Sequence, residues 1–350
     1  MRPRRPKPGV SLVRRAQIVL ASIATIAVAI VFYYLFVPPA RVPQPQATPG
    51  VATEPELAHP LSGEQVATTT GFFVTHIMYD NISEVKQRFG LEHARVVYEA
   101  LAEGGITRLM ALFDSTEQVP KIGPVRSVRP YFIDWASEYG GVLMHVGGSF
   151  EALKLLAKNA ALIDLDQIGA YEDYFVRDES KPAPHNVFTS HSSWLRLAER
   201  RDVPHASFTP WHFSSAVPTS TAPVQKITIT YSPSMTVAWV YNGERNSYVR
   251  FINGLKDTFV SGDQVSATNV AILIVPTQTI DVIGRQQMKT LGSGTAVILA
   301  QGTLQQGTWS KKTRESRTQL IAEDASDMSF LPGVTWVEIV PSTDSVQTKQ

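Results

Sequence analysis

The chain has 350 residues, with 32 Lys or Arg against 31 Asp or Glu, and no cysteine. The near-neutral total hides an asymmetry: Arg2, Arg4, Arg5, Lys7, Arg14 and Arg15 lie in the first fifteen residues, which hold no acid, so the remainder is net acidic. That balance gives no general electrostatic pull toward nucleic acid, and the missing cysteine excludes disulfides, thiol catalysis and a lipidated-cysteine anchor.

Residues 1–15 read as a basic cytoplasmic stub. Ala16 to Val37 is a run of 22 uncharged residues rich in Ile, Val and Ala. At ~1.5 Å per residue it spans about 33 Å, the thickness of a bilayer core. Tyr33 and Tyr34 suit the far interface, and the basic flank places the short end in the cytoplasm. A cleaved signal peptide would need a small-x-small site, and Val37-Pro38-Pro39-Ala40 is a poor one. The expectation is a single-pass signal-anchor helix over 16–37 with the bulk of the chain outside the cytoplasm. Residues 38–70 carry seven prolines between Pro38 and Pro60, the composition of an extended linker.

The chain from 71 to 210 reads as a mixed α+β or α/β domain. A strand opens it at 72–79. Runs 95–103 and 106–113 flank Gly104-Gly105, a hairpin signal, although Ala and Glu also allow a helix over 94–103. The hairpin reading pairs Val96 with Phe113, Tyr98 with Ala111 and Ala100 with Leu109 on a core face, and sets Glu99 and Glu103 around Arg108 on the other. A helix is expected over 128–139, with Ser127 as N-cap, Pro130 in the first turn and Gly140-Gly141 as the stop. A buried strand at 142–146, a helix at 150–158 capped by Ser149, a loop at 183–186 and a helix from Thr189 or Ser190 to Arg201 complete it. Residues 224–340 read as a mainly β domain with almost no helical period. Residues 341–350 read as a disordered polar tail.

Arg126 and Arg129 sit where the helix dipole is already positive, so something negative must offset them. Either an internal carboxylate or an anionic ligand could do so. With Arg108, Arg177, Ser149, His185 and Asn186 they form the candidate ligand-binding set. The plainer alternative is a salt-bridge network of Glu99, Glu103, Asp134 and Asp178 with these arginines. His145, His185 and Glu99 are the candidate catalytic groups, although His145 ends a buried strand and suits a core role equally. No complete catalytic constellation appears. Gly147-Gly148-Ser149-Phe150-Glu151 lacks the last glycine of a nucleophile elbow, and no His spacing suits zinc. Walker and dinucleotide glycine patterns are absent, so neither metal nor cofactor is expected. Trp239, Trp309 and Trp336 alternate with apolar neighbours and read as core.

The dispersed motifs Glu103-Gly-Gly-Ile-Thr-Arg108, Ile122-Gly-Pro-Val-Arg-Ser127, Arg129-Pro-Tyr131, His145-x-Gly147-Gly-Ser149, Arg177-Asp178 and Ala183-Pro-His-Asn186 resemble the YerB-like family of bacterial envelope lipoproteins, built on a domain of unknown function. Trp239-Val-Tyr241, Gly307-Thr-Trp309 and Pro332-Gly-Val-Thr-Trp336 resemble the β-rich region that follows it. The resemblance spans roughly 72–340 and implies an exported, membrane-tethered protein with no assigned reaction. Here a helix stands where that pattern has a lipidated cysteine. The expected function is recognition of an anionic envelope ligand or a partner protein through the arginines, with a hydrolase or transferase acting on such a substrate as the alternative.

Overall fold

The computed structural model describes residues 57–67, 71–82, 87–215 and 224–349, together with Gln17 and Leu20. Two compact units divide the chain, Met1–Glu54 and Pro55–Gln350, and the elements below belong to the second. The expected membrane span at 16–37 and most of the linker lie outside the described residues. Among the described residues no helix is long and apolar enough to cross a membrane.

One ten-stranded sheet organises the second unit. The first half of the unit contributes strands β1 (Val74–Tyr79), β2 (Val96–Leu101), β3 (Thr107–Asp114), β4 (Gly141–His145) and β5 (Leu162–Asp166). The second half adds two groups. The first is β6 (Lys226–Ser232), β7 (Met235–Asn242) and β8 (Ser247–Ile252). The second is β9 (Asn269–Ile274), β10 (Gly292–Ala300), β11 (Thr303–Lys311), β12 (Gln319–Ala322), β13 (Thr335–Val340) and β14 (Val346–Lys349). The order across the large sheet is β12-β11-β10-β9-β13-β2-β3-β1-β4-β5. β13 therefore lies between β9 and β2, parallel to both, and joins the two halves of the sequence into one hydrogen-bonded surface.

Every residue of β2, β3 and β13 is buried, because the sheet is covered on both faces. Helices α1 (Pro130–Ala136) and α2 (Phe150–Leu156) lie on one face, where Phe132, Trp135 and Leu156 join Tyr98, Leu112 and Val337 in one apolar cluster. On the other face a second sheet of β6, β7, β8 and β14, extended by short strands beside β8, packs with α3 (His191–Arg200). There Trp194, Ile227 and Trp239 meet Val97, Phe113 and Trp336.

Several expectations change. Among its described residues the region 71–210 has more strand than helix, with three short α-helices, so its α content is lower than an α/β reading implies. The hairpin is present but its register is one residue off: Val96 faces Leu112, Tyr98 faces Met110 and Ala100 faces Arg108. Arg108 therefore points to the face opposite Glu99. With both faces buried, apolar side chains occupy both, and the alternation that normally sets register is lost. The α1 N-cap is Arg129 with no side-chain cap, not Ser127. Residues 346–349, expected in a disordered tail, form β14 and pair antiparallel with β6 from Lys226 to Ile229.

Candidate functional site

β1, β2, β4, β5, β9 and β13 all run in one direction, since β3 is antiparallel to both β1 and β2 and the other contacts among the six are parallel. In sheets of this kind ligands bind at the carboxyl ends of the strands, where chain crossovers leave room and side chains converge. Asp80 follows β1, Glu103 sits in the turn after β2, and Gly147 follows β4. The segment 122–128 crosses this end. Arg126 N–H donates to the Met78 carbonyl at 2.8 Å, and the Arg126 carbonyl accepts from Val146 N–H at 3.0 Å, so its backbone straddles β1 and β4.

Three guanidiniums meet two carboxylates here. Arg108, buried, donates to Glu103 Oε1 at 2.9 Å and to the Ser127 carbonyl at 3.0 Å. Arg129 reaches the same carboxylate through Nε at 3.1 Å and Nη2 at 2.7 Å. Glu103 thus supplies the negative charge that the start of α1 required. Arg126 Nε lies 3.0 Å from Asp80 Oδ2 without a hydrogen-bond alignment, and its Nη1 donates to the Pro184 carbonyl at 3.0 Å. His185 Nδ1 is 2.5 Å from that same Asp80 oxygen. With His185 neutral, the group carries one surplus positive charge.

The surplus is felt by its members. Burial pushes Glu103 up, but the Arg108 and Arg129 guanidiniums outweigh it and hold the carboxyl below its usual range. Burial lowers Arg126 and Arg129, and repulsion from Arg108 adds to it in both.

The other expected residues fall into four places. Arg177 donates to Asn186 at 2.8 Å and to Gln167 at 3.3 Å, beside the arginine group and without a contact to it. Ser149 Oγ accepts from Ala152 N–H at 3.2 Å, which makes it the cap of α2. It also lines, with Arg129, a cleft of about 310 Å³ bordered by Asp134, Glu151 and Arg285. His145 is fully buried between the Gly147 carbonyl at 2.8 Å and Asp164 at 2.7 Å, so neither ring nitrogen is open to a substrate. Glu99 lies apart from all of these, buried between the two sheets and bonded to Arg250, Trp336, Asn81 and Thr107. Only Glu103 of the expected network pairs with the candidate arginines. Asp134 pairs with Arg314 and Asp178 with Lys121. Asp80, which the sequence reading passed over, gave only one sign, an acid directly after an apolar strand.

Family models match two stretches: the N-terminal domain of a protein of unknown function (DUF3048) over residues 61–204 and the DUF3048 C-terminal domain over 227–337. "Putative lipoprotein YerB" of Bacillus subtilis (strain 168) is 29% identical over 278 residues, covering 77% of this chain and 81% of that protein. The crystal structure of the YerB protein from Bacillus subtilis superposes with a TM-score of 0.73 at 25% identity, covering 84% of this chain and all of that one. The two matched stretches make this chain a member of the DUF3048 family, similar to YerB over most of its length.

Proposed function

We propose that this is a cell-envelope protein, anchored by its N-terminal apolar segment with Pro55–Gln350 outside the cytoplasm, that binds an anionic ligand at the group formed by Asp80, Glu103, Arg108, Arg126, Arg129 and His185. One observation carries the ligand reading: three guanidiniums share two carboxylates at the carboxyl ends of like-directed strands. A surplus cation that is partly desolvated is costly, and an oxyanion beside Arg126 would neutralise it with charge-assisted hydrogen bonds. The lipoprotein name of the similar Bacillus protein and the basic-then-apolar start of this sequence support the location.

Melting of the detergent-solubilised chain in the presence of inorganic phosphate and pyrophosphate tests this. Binding to the native state alone raises Tm with ligand concentration. The rise is expected in the wild type and not in Arg126→Gln. If no anion raises Tm, and Arg126→Gln by itself lowers Tm by many degrees, the arginines serve only the fold.

The Asp80–His185 contact favours a second reading, a hydrolase or transferase with His185 as base. An acid on Nδ1 holds the imidazole with Nε2 directed away, the arrangement of an oriented general base. Under that reading the wild type turns over a phosphate ester and His185→Gln does not.

A further inference from the structure

Far from the arginine group in sequence, the end of β11, the start of β12 and the segment 209–212 enclose a cleft of about 350 Å³. This is at the lower end of the ~300–1,000 Å³ usual for small-molecule sites. We propose that this cleft binds a small hydroxylated solute carrying one oxyanion, a sugar phosphate or a sugar acid.

Arg317 is the anchor. Its guanidinium lies 4.1 Å from the Trp211 ring and 4.2 Å from the Tyr139 ring, held between the two. Nη1 donates to Glu138 at 2.7 Å and Nε to the Thr209 carbonyl at 3.1 Å, so the group is oriented before any ligand arrives. Nη2 is the guanidinium nitrogen that Glu138 and Thr209 leave for a ligand oxyanion, on a group already fixed in place.

The charge count points the same way. Glu138 also takes the buried Lys311 ammonium at 2.9 Å, so one carboxylate faces two cations. Burial holds the Lys311 amine below its usual range, with Glu138 opposing. The next acid, Asp134, is already paired with Arg314 at 2.5 Å. The other two charged lining residues, Lys312 and Asp327, carry opposite signs. Lys311 and Arg317 share the one Glu138 carboxylate, which leaves a net positive charge there that an entering anion would offset.

Thr209, Ser310 and Gln319 line the remainder and supply hydroxyl and amide groups to a polyol body. Trp211 offers no stacking face to a neutral sugar, since Phe330 stacks on it at 4.9 Å and Arg317 covers it as well. Recognition must therefore come from the charged end.

Melting of the full chain in detergent with glucose 6-phosphate, glucuronate and glucose decides the matter. Either anionic sugar is expected to raise Tm, on the order of 5 °C at about 100 times its Kd, and glucose is not. The larger of the two rises assigns phosphate or carboxylate. Ser310→Trp, which fills the cleft without touching the Glu138 pairs, abolishes the rise, and Arg317→Lys weakens it. All three sugars are compared in the Arg126→Gln background, which removes any rise from the arginine group after β1 and so separates this cleft from it. No rise with either anionic sugar, an equal rise with glucose, or a rise that survives Ser310→Trp overturns the proposal.

Discussion

Glu99 and Glu338 occupy neighbouring positions on β2 and β13 and both face the second sheet. Glu99 Oε2 accepts from Arg250 at 2.5 Å and from the Trp336 indole at 3.1 Å. Glu338 accepts from Trp239 at 2.7 Å and Tyr231 at 2.6 Å. Arg250 also pairs with Asp257, which pairs with Arg88. When Glu338 is protonated, Arg250 and Arg88 balance Glu99 and Asp257. Burial, then the Glu99 charge, push the Glu338 carboxyl up to about 8 from its ordinary value near 4.5. The folded state thus keeps a proton that the unfolded chain releases. Stability from this group is full below pH ~4.5 and declines as pH rises toward ~8, by an amount on the order of a few kcal/mol. Glu338→Gln is expected to flatten that slope and to be the more stable protein at pH 8.5, as read from urea midpoints across pH. Arg250→Met leaves the buried Glu99 carboxylate without a cation, while Asp257 keeps Arg88, and is expected to cost about 3–5 kcal/mol in urea unfolding. A loss under ~1 kcal/mol would mean that water reaches the cluster.

At the scale of elements, the strands were legible from runs of β-branched and aromatic residues ended by Gly or Asn, and α2 from its Ser149 cap. The β2–β3 register was not, because the turn decides it. Gly104 and Gly105 both take positive φ, at 67° and 76°, and Ala102 N–H closes the loop on the Ile106 carbonyl at 2.8 Å. β14 was equally hidden, since Val-Gln-Thr-Lys is mostly exposed and becomes a strand only by adding to the free edge of β6. Two glycines separate conformation from contact. Gly104→Ala meets open space and is expected to cost roughly 1–2 kcal/mol for the left-handed backbone alone. Gly141→Ala has positive φ as well, and its Cβ would run into the Val74 backbone carbonyl where β4 joins β1. It should cost clearly more, and equal urea midpoints for the two variants would refute the contact.

Across the whole molecule, one sheet and two apolar layers bind the halves matched by the two family models. β13 donates its parallel edges to β2 on one side and β9 on the other, so neither half can complete the sheet alone. Calorimetry of Pro55–Gln350 is expected to give a single transition with equal calorimetric and van't Hoff enthalpies. Two resolved transitions would mean that the halves hold their cores independently.

By itself the sequence determined the positions of most strands, the start of α2 at its Ser149 cap and the arginine-rich motifs, because these depend on local periodicity, turn chemistry and charge. Partner choice was decided by tertiary structure. Arg126 went to Asp80, Arg129 to Glu103 and Glu99 to Arg250, and each partner lies tens to more than a hundred residues away. Ion pairs of this kind follow from which strand ends meet, and that follows from sheet order. Sheet order in turn was set by packing on two buried faces, where the central strands β1, β2, β3 and β13 are buried on both sides and local pattern carries no address.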